Sequence, residues 1–175
     1  MSTLFPFRSC LVLPLVLMAL SACSTQIELR TAAQQEQFGR EAASRGDWAL
    51  AMRNYADAVG NVELGHGDPA WQARLHHEAG RAASAACRDD AAEFHFRQAI
   101  ALAKQTGTSS ALSYKALIDQ YERQGKATEA LAVRNELGWH QSRALGALVH
   151  LESLPTVANQ PGHEQCKASP TPAMN

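Results

Sequence analysis

The sequence lacks several features that mark particular classes of protein. No apolar run approaches the ~20 residues that a transmembrane helix needs. The 16 Lys and Arg residues nearly balance the 17 Asp and Glu residues, so the charge gives no sign of nucleic-acid binding. Aromatic residues make up only 6% of the chain and Val and Ile are scarce, whereas Ala, Gln, Arg and Glu are abundant. This composition favours an all-helical protein.

Enzyme and metal signatures are missing as well. The sequence contains no nucleophile elbow, no phosphate-binding loop and no His-Glu-Xaa-Xaa-His motif. None of its seven histidines has the i, i+4 spacing of a helical zinc site, and His76 falls where a core or boundary residue is expected. We therefore predict that the protein is not an enzyme, uses no cofactor and has no metal site.

The N-terminus carries a short apolar segment that ends in a cysteine. Arg8 precedes an apolar run over residues 10–20, which has the length of a secretory signal peptide. The residues that close it, Leu20-Ser21-Ala22-Cys23, resemble the lipobox of bacterial lipoproteins. The resemblance implies removal of residues 1–22, lipidation of Cys23 and, because Ser24 follows, an outer-membrane location facing the periplasm. The alternative is an ordinary signal peptide, with Cys23 an incidental thiol.

Cleavage would leave few cysteines and a nearly neutral chain. One of the basic residues leaves with the signal, so acidic residues outnumber the remaining basic ones by two. Residues 23–31 are expected to form a membrane-proximal leader that reaches ~30 Å when extended. Cys87 and Cys166 are the remaining thiols, and the oxidising periplasm makes them a possible disulfide. The alternative is a buried Cys87 with a free thiol in the tail.

A helical repeat follows from residue 32. Small and apolar residues recur three and four apart on both sides of Gly46 and Asp47, which predicts helix, tight turn, helix. The positions resemble the tetratricopeptide repeat, and similar positions return twice at intervals of 41 and 38 residues, measured between Ala51, Ala92 and Ala130. The residues that carry the resemblance are Gly39, Ala42, Trp48, Tyr55 and Ala58 in the first unit, Gly80, Ala83, Phe96 and Ala99 in the second, and Tyr121 and Leu137 in the third.

The predicted fold is therefore all-α, an α-solenoid of about three tetratricopeptide-like helix pairs within residues 32–154. A C-terminal capping helix is expected over Trp139 to Leu154, because Leu145, Leu148 and Val149 have helical spacing there. Residues 155–175 are rich in proline and are expected to form a flexible tail. The alternative is an irregular helical bundle rich in alanine.

The resemblance implies a concave groove that holds a peptide of a partner protein. The predicted groove contains more cationic than acidic side chains, which favours an acidic segment or a C-terminal carboxylate as ligand. The alternative is that these charges form a solvated helix face. The predicted binding residues are Arg40, Arg74, His77, Arg81, Lys115 and Arg123, and their neighbours in the groove are Glu36, Ala43, Ser44, Ser84, Leu112, Asp119 and Glu122.

Together these expectations describe a lipid-anchored scaffold that docks a protein partner. The resemblance to pilotins and assembly adaptors implies a role in envelope assembly or secretion, with the membrane contacted through the lipid and no nucleic acid bound. Two alternatives remain open: a periplasmic carrier of a small ligand or metal, and a purely structural envelope lipoprotein.

Overall fold

A computed structural model describes the backbone of residues 12–143 and the side chains of residues 25–138. Within that part the protein consists of six α-helices and contains no strand, which confirms the predicted all-α class. The helices are α1 (Val12–Ser44), α2 (Trp48–Leu64), α3 (Pro69–Ala85), α4 (Asp89–Thr106), α5 (Ala111–Arg123) and α6 (Ala127–Arg143). Each helix packs against the next, and α3 also contacts α5.

The turns between helices are short and locally encoded. The carboxylate of Asp47 accepts a hydrogen bond from the backbone N–H of Leu50 at 3.1 Å, and that of Asp68 accepts one from Ala70 at 2.8 Å. Such caps satisfy backbone donors that a helix start leaves unpaired. Gly46 turns the chain between α1 and α2 with φ of 76°. Cys87 occupies the corresponding place between α3 and α4 with φ of 57°, a conformation that costs a residue with a side chain about 1–2 kcal/mol.

The core depends on glycines that face aromatic rings. A Cβ atom placed on Gly39 would lie 2.8 Å from the ring of Tyr55, and one placed on Gly80 would lie 2.7 Å from the ring of Phe96. Both rings are buried. The glycines therefore allow α1 to approach α2, and α3 to approach α4, closely enough for each ring to fill the space between the paired helices.

Apolar side chains form two adjoining core clusters, and α3 contributes to both. Leu75, Ala79 and Ala82 of α3 belong to the cluster shared with α1 and α2. Ala83 of α3 belongs to the cluster that extends through α4, α5 and α6. The central helix thus joins the two halves of the described domain.

The segment predicted to be a membrane-proximal leader is helical, so its reach is shorter than the extended maximum. Residues 23–31 belong to α1, and Leu29 packs against Gly65 and Gly67 in the turn after α2. Because a helix rises 1.5 Å per residue, nine helical residues span only about 13 Å. The packing of the half-buried Leu29 against that turn gives the physical reason why this segment joins the helix.

The expected break before a separate capping helix is also absent. Helix α6 continues through Gly138 and Trp139 to Arg143, because a single glycine costs a helix only about 1 kcal/mol. Residues 144–154, which would complete the predicted cap, and the predicted tail over residues 155–175 lie outside the described residues.

Replacing Gly39 with alanine tests the close approach of α1 and α2. The added Cβ would overlap the Tyr55 ring, so Gly39→Ala is expected to lower the free energy of unfolding by about 1–3 kcal/mol. Gly60→Ala is the matched control, because Gly60 is also helical but has open space around a new Cβ. That change is expected to raise the stability by up to about 1 kcal/mol. Urea unfolding of both variants measures the difference, and equal effects would contradict the packing argument.

Candidate partner-binding groove

Polar contacts join α1, α3 and α5 along one side of the domain. Trp71 Nε1 donates a hydrogen bond to Glu36 Oε2 at 2.7 Å, which links α3 to α1. Arg123 Nη2 donates to Ser84 Oγ at 2.6 Å, which links α5 to α3. We call this side the groove face. Of the predicted binding residues and their neighbours, it includes Glu36, Arg40, Ala43, Arg74, His77, Arg81, Ser84, Leu112 and Arg123.

The first recess on the groove face is lined mainly by charged residues. It has a volume of about 370 Å³ and lies between α1, α2 and α3. The predicted residues Arg40, Arg74 and Arg81 meet there. The remaining lining residues are Glu36, Ala43, Tyr55 and Glu78. The fold therefore brings together three arginines that the sequence separates by up to 41 residues.

Glu36 organises this recess. Its buried carboxylate accepts hydrogen bonds from Arg74 at 2.5 Å, from Arg40 at 3.2 Å and from the indole of Trp71. Burial acts to raise the pKa of Glu36, but the hydrogen bonds from Arg74 and Trp71, together with the charges of Arg74 and Arg40, outweigh it and hold the pKa below its usual value. Glu36 is therefore ionised at neutral pH and fixes the two arginines in the recess.

The second recess is mainly apolar. It has a volume of about 260 Å³ and lies between α3, α4 and α5. Arg74 lines both recesses, so the polar and apolar spaces adjoin at its side chain. The other lining residues are Ala70, Ala73, His77, Ala99, Ala103, Thr108, Ser109, Leu112 and Ser113. An extended ligand could place an apolar side chain in one recess and a carboxylate in the other.

A third recess lies between α5 and α6. It has a volume of about 400 Å³ and contains the predicted binding residue Lys115. Lys115 pairs with Asp119 at 3.2 Å. The other lining residues are Ile118, Arg134, Leu137 and Gly138. The predicted set is thus divided, because Lys115 faces this recess whereas Arg40, Arg74 and Arg81 share the first one.

The cationic surplus of the groove is smaller than the sequence suggested. Glu78, which was not among the predicted groove residues, lines the first recess and pairs with Arg81 at 2.9 Å. Its position three residues before Arg81 was the sequence signal for this pair. Glu122 pairs with Arg134, a residue of α6 outside the predicted set. With Glu78 included, the set contains five cations and four carboxylates, and in the first recess Arg40 and Arg74 share the single carboxylate of Glu36.

The predicted binding residues differ in their accessibility. The side chains of Arg40 and Arg74 are each more than half exposed despite their contacts with Glu36. His77 is half-buried, and its Nδ1 lies 3.0 Å from Ser113 Oγ. Burial lowers the pKa of His77 and also that of Arg123. The contacts of His77 with Ser113 and of Arg123 with Ser84 connect α3 to α5.

A pair of histidines joins α3 to α4. His76 of α3 and His95 of α4 are 19 residues apart, yet their Nδ1 atoms lie 3.0 Å from each other. Burial and the nearby His95 lower the pKa of His76 to about 4, and burial lowers that of His95. His76 is buried, which agrees with its prediction as a core or boundary residue. Within the described residues, no group of three or more His, Cys, Asp and Glu side chains is placed to hold a metal ion.

Cys87 is exposed at the turn between α3 and α4 and takes part in a disulfide bond. The side chain of Cys166 lies outside the described residues, so its pairing with Cys87 stays a prediction. The side chain of Cys23 also lies outside them, although its backbone belongs to α1. No helix in the described part of the chain is long and apolar enough to cross a membrane.

Comparison of the chain with models of protein families, with curated proteins and with solved structures finds no match.

Proposed function

We propose that the protein is an outer-membrane lipoprotein, anchored through Cys23, whose periplasmic domain docks a partner protein in envelope assembly or secretion. The domain is a stack of tetratricopeptide-like helix pairs and works without catalysis. The observation that carries the proposal is the arrangement of two adjoining recesses, one polar and one apolar, that share Arg74 on the groove face.

A regular internal arrangement supports the repeat interpretation. The first recess is bounded by α1, α2 and α3, and the second by α3, α4 and α5. The contact of Gly39 with Tyr55 in the first pair corresponds to that of Gly80 with Phe96 in the second. Equivalent helices therefore bound equivalent spaces, as expected when one helix pair is repeated along a stack.

The chemistry of the recesses favours a peptide that carries a carboxylate. Each guanidinium has five N–H donors, and the contacts of Arg40 and Arg74 with Glu36 use only some of them. The carboxylate of a ligand could bind both arginines through charge-assisted hydrogen bonds. An apolar side chain next to that carboxylate would enter the second recess beside Leu112. The ligand is therefore an acidic segment or the C-terminus of a protein.

Crosslinking in intact cells tests this proposal. A photoreactive residue at Leu112, in the second recess, is expected to give a defined crosslink to one partner protein. The same residue at Leu131 is the matched control, because Leu131 is an exposed leucine of α6 that lines none of the three recesses. Equal crosslinking from both positions, or none from Leu112, would contradict the docking function and favour a purely structural lipoprotein.

Charge reversal at Arg74 tests the ligand chemistry. Arg74→Glu places a negative charge where both recesses meet, so the Leu112 crosslink is expected to fall at least about tenfold. Arg53→Glu makes the same charge change on the exposed side of α2 and is expected to leave the crosslink unchanged. The circular dichroism of both variants establishes that they are folded. An unchanged crosslink in folded Arg74→Glu would exclude the carboxylate-binding model.

A further inference from the structure

Four helix ends and the part of α1 that follows Cys23 lie at one end of the domain. Because short turns join consecutive helices, neighbouring helices run in opposite directions. The part of α1 around Leu29 therefore lies beside the end of α2 and the start of α3. The packing of Leu29 against Gly65 and Gly67 establishes this position. The end of α4 and the start of α5 lie at the same level. We call this region, which includes Ile27, Leu64, residues 65–68, residues 107–110 and Leu112, the anchor end.

The anchor end carries exposed apolar side chains. Six large apolar residues are exposed in the described part of the chain, and Ile27, Leu64 and Leu112 all belong to this end. Each of the three is more than half exposed. A single exposed leucine is ordinary in proteins, but three of the six at one end of the stack form a concentration that requires a reason.

The anchor end is rigidly connected to Cys23. Helix α1 runs without interruption from before Cys23 to Ser44. Ile27 follows Cys23 by four residues, so the two residues share one face of the helix and lie about 6 Å apart along its axis. Leu29 then fixes the same helix against the turn after α2. No flexible linker separates the cysteine from the anchor end.

We propose that the anchor end rests on the bilayer that receives the acyl chains of Cys23, with Ile27 and Leu64 in contact with the lipid interface and Leu112 facing the second recess beside it. This inference depends on the lipidation proposed above. Exposed apolar side chains beside an acyl anchor add to membrane binding and fix the orientation of the domain. The helix axes are then roughly perpendicular to the membrane surface. The second recess, which contains Leu112, opens close to the bilayer.

The charge of the anchor end indicates which lipids are needed. Arg30 and His66 are exposed there, as are Glu63 and Asp68, so the charges are of both signs. Attraction to anionic lipid therefore contributes little, and the contact depends on apolar burial. Vesicles of phosphatidylcholine, which is zwitterionic and has no net charge, are accordingly a sufficient probe.

Tryptophan quenching in such vesicles tests the orientation. The full-length protein is purified with its native acyl chains and reconstituted into phosphatidylcholine brominated on the upper acyl chain. Leu64→Trp adds a fluorophore at the anchor end, and Leu131→Trp adds one to an exposed position on α6, at the opposite end of the stack. The emission of the tryptophan introduced by Leu64→Trp is expected to be at least about twofold weaker in brominated than in unbrominated vesicles. The emission of the tryptophan introduced by Leu131→Trp is expected to be the same in both.

Mass spectrometry of the same samples separates this inference from the proposed anchoring. Acylated Cys23 with strong quenching of Leu64→Trp alone supports both. Acylated Cys23 with equal quenching at both positions, or with none, overturns the orientation and leaves the lipoprotein assignment intact. A chain without acyl groups on Cys23 overturns the anchoring and, with it, the inference.

Discussion

Phe96→Ala is expected to lower the free energy of unfolding by about 3–5 kcal/mol, the range for loss of a buried aromatic side chain. The Phe96 side chain is only 1% exposed and lies in the core cluster that joins α3 to α6. Its ring packs directly against Gly80, so closely that a Cβ atom on residue 80 would overlap the ring. The domain cannot collapse around the cavity easily, because Ile100 on the same helix and Tyr114 on α5 are held by their own packing. A loss of this size is a large part of the stability of a typical domain.

Phe94→Ala is the matched control for this change. Phe94 lies on the same helix and has the same side chain, but it is 55% exposed and its ring meets only the edge of the His76 and His95 rings. Its replacement is expected to cost less than about 1 kcal/mol. Urea unfolding of both variants gives the comparison. Similar losses from the two would show that Phe96 does not fill the space between α3 and α4.

Acidification is expected to destabilise the protein before its carboxylates are protonated. The pKa of His76 is lowered by burial to about 4, against an ordinary value of 6.5. The unfolded chain therefore binds a proton at a higher pH than the folded chain does. The stabilising effect of neutral His76 is complete above pH 6.5 and is lost as the pH falls towards 4. This one group accounts for about 3 kcal/mol, and His77 and His95 act in the same direction.

Replacing both members of the His76 and His95 pair with leucine tests this assignment. Removal of both partners leaves no unpaired ring nitrogen, so stability at pH 7 is expected to change by no more than about 1 kcal/mol. The loss of unfolding free energy between pH 6.5 and 4 is expected to become much smaller, and the loss that remains is due to His77.

The Glu36 carboxylate acts at lower pH. Its pKa is also lowered, so its protonation destabilises the fold only below pH 4.5, the ordinary pKa of a glutamate. Denaturant unfolding across pH measures this, and an unchanged decline would contradict the role of the pair.

The helices and their close contacts were accessible from the sequence because they depend on local spacing. Gly39 precedes Tyr55 by the same 16 residues that separate Gly80 from Phe96, and each glycine faces its ring in the structure. Helical periodicity places such residues on matching faces of two helices joined by a tight turn. The third unit has no such pair, since Ile118 and Arg134 occupy these positions and line a recess instead.

The electrostatics of the groove depended on contacts between distant segments. The i, i+4 spacing of Glu36 and Arg40 indicated that these two would pair, but the sequence gave no sign that Arg74 would meet the same carboxylate. Arg74 and Glu36 are 38 residues apart, so the pairing requires α1 and α3 to lie side by side. Counting charges along the chain therefore overestimated the positive charge that a ligand would meet.

By itself, the sequence determined the helical class, most of the helix positions and the small and aromatic residues on which the helix pairs close. These follow from interactions within one helix or across one short turn. Only the tertiary structure decided that residues 23–31 join α1, that Arg74 is shared by two recesses, and that His76 meets His95. Each of these depends on the approach of helices whose contacting residues are at least 19 positions apart, and no local spacing encodes that approach.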